Sequence, residues 1–443
     1  MLKKNSVKNK LISLVCTVLA ISLMPISLVS CSGSRTEVKD PILSYDGQQI
    51  SLSFYEFLLS RMKGTLARNK YNVGDPDFWS GRLDGSDQTY EDYFNSSIFE
   101  NCKNYLAALV FFEEENLKLS DSVLSSIDEE IAFYIDYDGK KSEEKFNSLI
   151  QKYGVDADSL RQAYVNEAKY EAVIKHLYGT NASLVAAEVK NQYYKDNYYR
   201  FKQILIANYY YEFETDGEGN VIYYDDESAE PLYDTQNGRK IYDADGNSIK
   251  DSYGNPIYYD ADGNIIYDKV NGKPSVVLDE NGEGKQFLYS DEQMLERAEQ
   301  ANYLFDSLER GDYSEFENKQ KEYDGLDLIE SAAYSDGYYL SEIEKSRYEN
   351  YMLDILEKLE NMEDGELTLL ETDFGHHVIM KYPLDNGKYA DSNYSEWFAS
   401  FNSSLVNKLF LDKASKIFPQ IKVNEDNFSK ARSIREIGIN FDY

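Results

Sequence analysis

The sequence predicts an α+β chain, mostly helical, with a sheet-containing part set between helical ones. Three observations carry this. From about residue 51 to 196, apolar side chains recur at helical spacing behind capping residues. At 198–210, "YYRFKQILIANYY", the spacing changes to the alternation of a strand, and it does so again at 374–383, "FGHHVIMKYP". Between these strands, residues 209–289 are so rich in Tyr, Asp, Gly and Asn that they read as an insertion of short hairpins.

The chain opens "MLKKNSVKNKLISLVCTVLAISLMPISLVSCSGS". Lys3, Lys4, Lys8 and Lys10 precede an apolar run from about Leu11 to Val29, which ends Leu28-Val29-Ser30-Cys31. A basic start, an apolar centre and a small residue before a cysteine make a secretory signal. This one resembles a bacterial lipobox, in which the cysteine is acylated and the chain is cut just before it. The expectation is that residues 1–30 are removed, that Cys31 carries lipid, and that 31–40 form a polar tether. The protein would then be lipid-anchored on the extracytoplasmic face of the bacterial cell membrane, two acyl chains being enough for stable anchoring. An uncut membrane anchor is the competing reading, and Pro25 and the Leu-Val-Ser-Cys ending argue against it.

Three cysteines are present. With Cys16 in the signal and Cys31 lipidated, Cys102 is alone, so no internal disulfide is expected and the core must be held by packing. Cys102 falls in "SSIFENCKNYLAALVFFEEE", a helical pattern, and is expected to be a buried, inert thiol. The formal charge is −33, from 79 acidic and 46 basic residues. Such a surface repels nucleic acid and anionic lipid, and suits solubility or basic, unfolded partners.

Taking the elements in order, "ILSYDGQQIS" reads as two strands around Asp46-Gly47. Ser53 with Glu56 fits a capping box before "FYEFLLSRM", and Thr89 with Asp92 a looser one before the helix through Phe111. "DADSLRQAYVNEAKYEAVIKHLYG" places Leu160, Tyr164, Ala168, Ala172 and Leu177 near one helical face, and its His176 reads as a surface or packing residue. On the strand after it, Phe201, Gln203, Leu205 and Ala207 share one side, and Lys202, Ile204 and Ile206 the other.

Glycines at 238, 246, 254, 263 and 272 mark the turns of the insertion, read as a meander. An EF-hand fails on spacing, since it needs Asp five residues before its Gly, where Gly246 has Ile241 and Gly263 has Tyr258; a looser calcium site and a partly disordered segment are the alternatives to the meander. Beyond the insertion, Ser290 with Gln293 caps a helix that Gly311 would end. A shorter helix starts at Tyr313, "YYLSEIEKSRYENYMLDILEKLENMEDGEL" reads as another, and "YSEWFASFNSSLVNKLFLDKASKIF" is a last amphipathic helix. With three histidines and one spare cysteine, no metal site and no cofactor are expected.

The order strand, helix, helix, helix, strand resembles a parvulin domain, and particular residues support it. "RFKQILIA" is similar to the family's opening strand, and "LFDSLERGDYSEFENKQKEYD" to its first two helices. "SDGYYL" matches a variant loop of exported bacterial members. "EDGELTLLETDFGHHVIMKYP" resembles the closing stretch. The flanking helices resemble the chaperone part of exported foldases of the PrsA and SurA type. The resemblance implies a four-stranded antiparallel sheet with helices at 197–385, carrying the insertion 209–289. It also implies a helical chaperone domain built from 41–196 and completed by 386–443. Its activity would be peptidyl-prolyl isomerisation on unfolded secreted proteins. His377 takes the closing-strand histidine position, while the opening strand carries Gln203 where the family usually has His. Asp324 takes the family's Cys/Asp position, and Tyr351 and Ile355 the apolar wall that grips proline. His376 would face the other side of the sheet as a packing residue. Because Gln203 replaces a histidine, isomerase activity is expected to be weak or absent. The alternative is a binding lipoprotein, chaperone or adhesin, that uses the fold and the tyrosine-rich insertion as contact surfaces; a homodimer is left open.

Overall fold

The computed structural model describes residues 38–443 apart from 84–85, 213–221, 226–230, 234–238, 241–256, 260–264, 269–271, 275–276, 281, 283 and 324–335. The signal, Cys31 and Asp324 therefore lie outside the described residues. The chain is a mixed α+β protein with small antiparallel sheets. It divides into two units. One comprises 38–198, 339–353 and 384–443 of the described chain, and the other 199–338 and 354–383.

The first unit begins with strands β1 (Pro41–Tyr45) and β2 (Gln48–Ser51), paired antiparallel. Asp46 (φ 45°) and Gly47 (φ 75°) are both left-handed, which the two-residue turn of a hairpin demands. Helix α1 (Leu52–Arg68) follows at once, and its N-cap is Ser51, whose side chain accepts the Phe54 N–H. The expected cap at Ser53 is thus two residues late. Glu56 is taken elsewhere: it is buried and paired with Arg432 through Nε and Nη2 at 3.0 and 2.7 Å.

Helices α2 (Pro76–Ser80), α3 (Tyr90–Glu114), α4 (Asp121–Tyr137), α5 (Glu143–Ile150), α6 (Ala157–Tyr178) and α7 (Ala187–Asn197) follow. Thr89 caps α3, accepting the Asp92 N–H at 3.1 Å. Cys102 is fully buried on α3, and burial pushes its thiol far up, so it is unreactive as expected. Phe54, Phe57, Leu59, Phe94, Leu106, Phe146 and Leu160 share one core. His176 is surface-exposed, with Glu115 at 3.4 Å.

The C-terminal part of this unit returns to α1. After α11 (Phe401–Ala414), strand Lys422–Val423 pairs with β1. The buried amine of Lys63 donates to the main-chain oxygens of Ile434, Arg435 and Ile437 at 2.9, 3.0 and 2.8 Å. An ammonium has three donors, and all three are used here. Gly64 sits where any Cβ would land on the Asn440 carbonyl, so the tail approaches the helix as only glycine permits.

The second unit is built on strands β3 (Tyr198–Ala207), β13 (Leu367–Thr372) and β14 (Gly375–Tyr382). β14 is central: it pairs antiparallel with β3, Gly375 opposite Ala207 and Ile379 opposite Gln203, and with β13, Leu370 opposite His377. A fourth strand, β12 (Tyr338–Ser341), begins in this unit, where a helix was expected from the same stretch, and completes the sheet in the order β12-β3-β14-β13; the helix itself starts only at Asn350. Helices α8 (Asp291–Ser307) and α9 (Tyr313–Tyr323) supply Ala301, Leu304 and Phe316 to a core with Ile204, Ile206, Val378 and Met380. Ser290 and Gln293 form a reciprocal capping box at the start of α8. That helix ends at Ser307, four residues short of Gly311.

Strand β4 (Tyr209–Tyr211) pairs with β11 (Gln286–Leu288), so the ends of the insertion are held together. Closing so long a loop adds little entropy cost, because that cost grows only with the logarithm of length. Inside it, β5 (Ile222–Asp225) pairs with both β6 (Pro231–Tyr233) and β10 (Gly272–Pro274). β7 (Arg239–Lys240), β8 (Ile257–Tyr259) and β9 (Ile265–Asp268) form a second sheet. A plain meander would pair sequential neighbours only; the return of β10 to β5 departs from it. Gly238, Gly246, Gly254 and Gly263, read as turns, lie outside the described residues.

Candidate functional site

Strand alternation sorts the residues of β3 and β14 onto two faces. Ile204, Ile206, Val378, Met380 and Tyr382 face the α8/α9 core. Lys202 shares that side and is buried, with its amine 2.7 Å from Glu317. On the other face lie Gln203, Leu205, His377 and Ile379. His376 falls on the core side of β14, opposite Ile206, as alternation required, and is half-buried.

Gln203 and His377 are 174 positions apart in sequence and touch. His377 Nδ1 is 2.9 Å from Gln203 Oε1, and His377 Nε2 is 2.9 Å from the Thr372 hydroxyl. The pair is diagonal on the ladder, since His377 faces Leu205 directly and Gln203 faces Ile379. An amide oxygen only accepts, so Nδ1 carries the proton and donates to it; Nε2 is then the acceptor of the Thr372 O–H. The ring is 1% exposed and Gln203 8%. Burial, with His376 as a smaller contribution, pushes the His377 pKa down to about 4, so it is neutral at physiological pH.

Thr372 is held in turn, accepting the Phe374 N–H at 3.2 Å. Two residues separate Thr372 from Gly375 in a tight turn, which sets the hydroxyl over the ring. Gly375 has φ 139°, and a Cβ there would meet the Ile206 carbonyl oxygen. Sequence reasoning quoted Thr372 within a motif and gave it no role. The available signal was a hydroxyl five residues before the histidine across a two-residue turn. Behind the strand, the buried Gln320 amide donates to the Gln203 main-chain oxygen at 3.1 Å and fixes β3 from α9.

The other sequence-derived residues fall as follows. Ile355 is fully buried on helix α10 (Asn350–Glu360), within the second unit. Tyr351, half-buried on the same helix, is assigned to the first unit. Asp324 and Cys31 lie outside the described residues. Among the described residues, no group of three or more His, Cys, Asp or Glu side chains could hold a metal ion. Within those residues too, no helix is long and apolar enough to cross a membrane.

Chemically, the arrangement is a neutral imidazole of fixed tautomer between an amide and a hydroxyl. It offers oriented dipoles and no proton that leaves near pH 7.

No family model matches the chain, and no curated protein does. Among solved structures, the crystal structure of PrsA from Bacillus subtilis aligns over 79% of this chain and 91% of that one, at 16% identity and a TM-score of 0.18.

Proposed function

We propose that the protein is an extracytoplasmic foldase: a chaperone for unfolded secreted chains that carries a parvulin-like prolyl isomerase domain of low activity. The observation that supports it most is the buried contact of His377 with Gln203 across β14 and β3, steadied by Thr372. Prolyl isomerisation needs no proton transfer to or from substrate. Its barrier of about 20 kcal/mol comes from amide resonance, and a catalyst lowers it by binding the twisted amide better than either planar form. A neutral, oriented polar set next to apolar side chains such as Leu205 and Ile379 suits that task. His377 and Gln203 are the proposed polar pair; Asp324 is added to them on the sequence resemblance alone, Ile355 is part of the apolar wall, and the proposal does not rest on Tyr351. Gln203 can accept one bond and donate another, as a neutral histidine can, yet it cannot change tautomer. A loss of about 1.4–3 kcal/mol in transition-state binding lowers the rate roughly ten- to a hundredfold. Anchoring through acylated Cys31 places the domain where secreted chains emerge.

The test is a protease-coupled assay on a proline peptide beside an aggregation-suppression assay. The expected result is weak isomerisation that Gln203→His raises and His377→Ala abolishes, with suppression of aggregation retained in both variants. Full parvulin-level turnover by the wild type would defeat the assignment of Gln203. No suppression of aggregation by the wild type would defeat the chaperone reading.

A further inference from the structure

The sheet of the second unit has an open edge at β13, "LTLLET". Among the described residues this strand pairs with β14 alone. The parity of its free groups follows from the ladder. Lys381 N–H bonds to the Glu366 oxygen at 3.0 Å, and Thr372 and Gly375 close the two-residue turn, so residues 366, 368, 370 and 372 direct their main-chain groups at β14. The N–H and C=O of Leu367, Leu369 and Glu371 therefore point outward from the sheet.

Proteins ordinarily blunt such an edge with lysine, proline, a bulge or a very short strand. Within β13 the register is unbroken over six residues, with neither Lys nor Pro; a bulge lies just before it, where Gly365 (φ 79°) and Glu366 both bond Lys381. The side chains of the strand are only partly covered, Leu367 and Leu369 against the α8/α9 core and Thr368 and Leu370 on the His377 side. Leu367, Thr368, Leu369 and Leu370 are all half-buried, whereas Val378, Ile379 and Met380 on the neighbouring strand are fully buried. Acidic residues lie towards both ends of the strand, Asp364 and Glu366 before it, Glu371 as its penultimate residue and Asp373 after it. Glu363 is already paired with Arg310.

We infer that β13 is a docking edge for an extended polypeptide, which adds to the sheet as a fifth strand and carries basic residues on either side of an apolar centre. This rests on the client-binding half of the function proposed above and is independent of isomerase activity. The bonds go to the incoming main chain, so affinity is tolerant of sequence; the exposed parts of Leu367 and Leu369 on one face and of Leu370 on the other offer apolar contact to its alternate side chains. Charge selects the occupant. A second copy pairing antiparallel about Leu369 would bring the acidic end of each strand against that of the other, whereas lysines or arginines flanking an apolar run meet opposite charge.

The experiment uses the chain with its lipidated leader replaced by a tag. It measures fluorescence anisotropy with a labelled peptide that has a β-branched apolar centre and lysines at both ends. Glu371→Pro removes one outward N–H and leaves the bonds to β14, and Glu371→Gln controls for the charge. An otherwise identical peptide is N-methylated at alternate amides. Binding is expected to fall at least about tenfold in E371P and with the methylated peptide, and no more than about threefold in E371Q. Circular dichroism checks that E371P stays folded, and the methylated peptide tests the inference without any variant. Equal binding of the unmethylated peptide and of both alternate-amide methylation registers overturns strand addition. A concentration-dependent dimer of the wild type that E371P dissolves overturns the choice of occupant. Undiminished aggregation suppression by an E371P protein that has lost the peptide overturns the edge as the client site and leaves the chaperone reading standing.

Discussion

Protonating His377 should act against folding, and by an amount large enough to measure. The ring is buried between Gln203 and Thr372 as an Nδ1–H tautomer, and burial pushes its pKa from the ordinary 6.5 to about 4. The folded ring therefore holds a proton less tightly than the unfolded one, and acid favours the unfolded chain. The full contribution is present above pH 6.5 and is lost progressively as pH falls towards 4. A displacement of this size corresponds to roughly 3 kcal/mol once pH is below 4, and to roughly 2 kcal/mol at pH 5. The chain has three histidines, so ring carbon and nitrogen resonances labelled in histidine are few, and a His377→Gln variant assigns the one in question. In a titration from pH 8 to 5.5 the His377 signal should stay at its neutral position with Nδ1 protonated. Denaturant unfolding of the wild type should lose the stated increment between pH 7 and 5, beyond any loss in the variant. A His377 that titrates near 6.5, or whose proton sits on Nε2, would refute the reasoning.

Further expectations concern the elements that hold the site and the tail. Thr372→Val keeps the shape and removes the hydroxyl bonded to Nε2, which should cost about 1 kcal/mol by urea unfolding and shift the Nε2 resonance. Gly375→Ala places a Cβ against the Ile206 carbonyl at φ 139° and should destabilise the β3–β14 pairing by about 2 kcal/mol or more, read as faster amide exchange in both strands. Lys63→Met leaves the Ile434, Arg435 and Ile437 carbonyls without their donor, and should cost about 3 kcal/mol or more and open residues 430–443 to limited proteolysis. Cys31→Ala should abolish incorporation of labelled fatty acid and release the protein from the membrane fraction.

Much of this molecule could be read from order along the chain. Alternation alone placed Gln203 and His377 on one side of their strands and His376 on the other, since a strand's side-chain period of two depends on nothing beyond local geometry. Asp46-Gly47, Thr89 and Ser290 marked a turn and two helix starts, because caps and tight turns are satisfied within a few residues. What required the tertiary structure was every pairing across long separations. Glu56 looked like a capping residue until Arg432, 376 positions later, was seen to claim it. The N-cap fell to Ser51 because that residue both ends β2 and frees its hydroxyl for Phe54. Strand β10 returns to β5, a register that no local turn encodes. Thr372 gained its role only when the hairpin brought it over the ring. The tautomer and acidity of His377 likewise depend on burial and on partners brought by separate strands, and neither is a property of a short stretch of sequence.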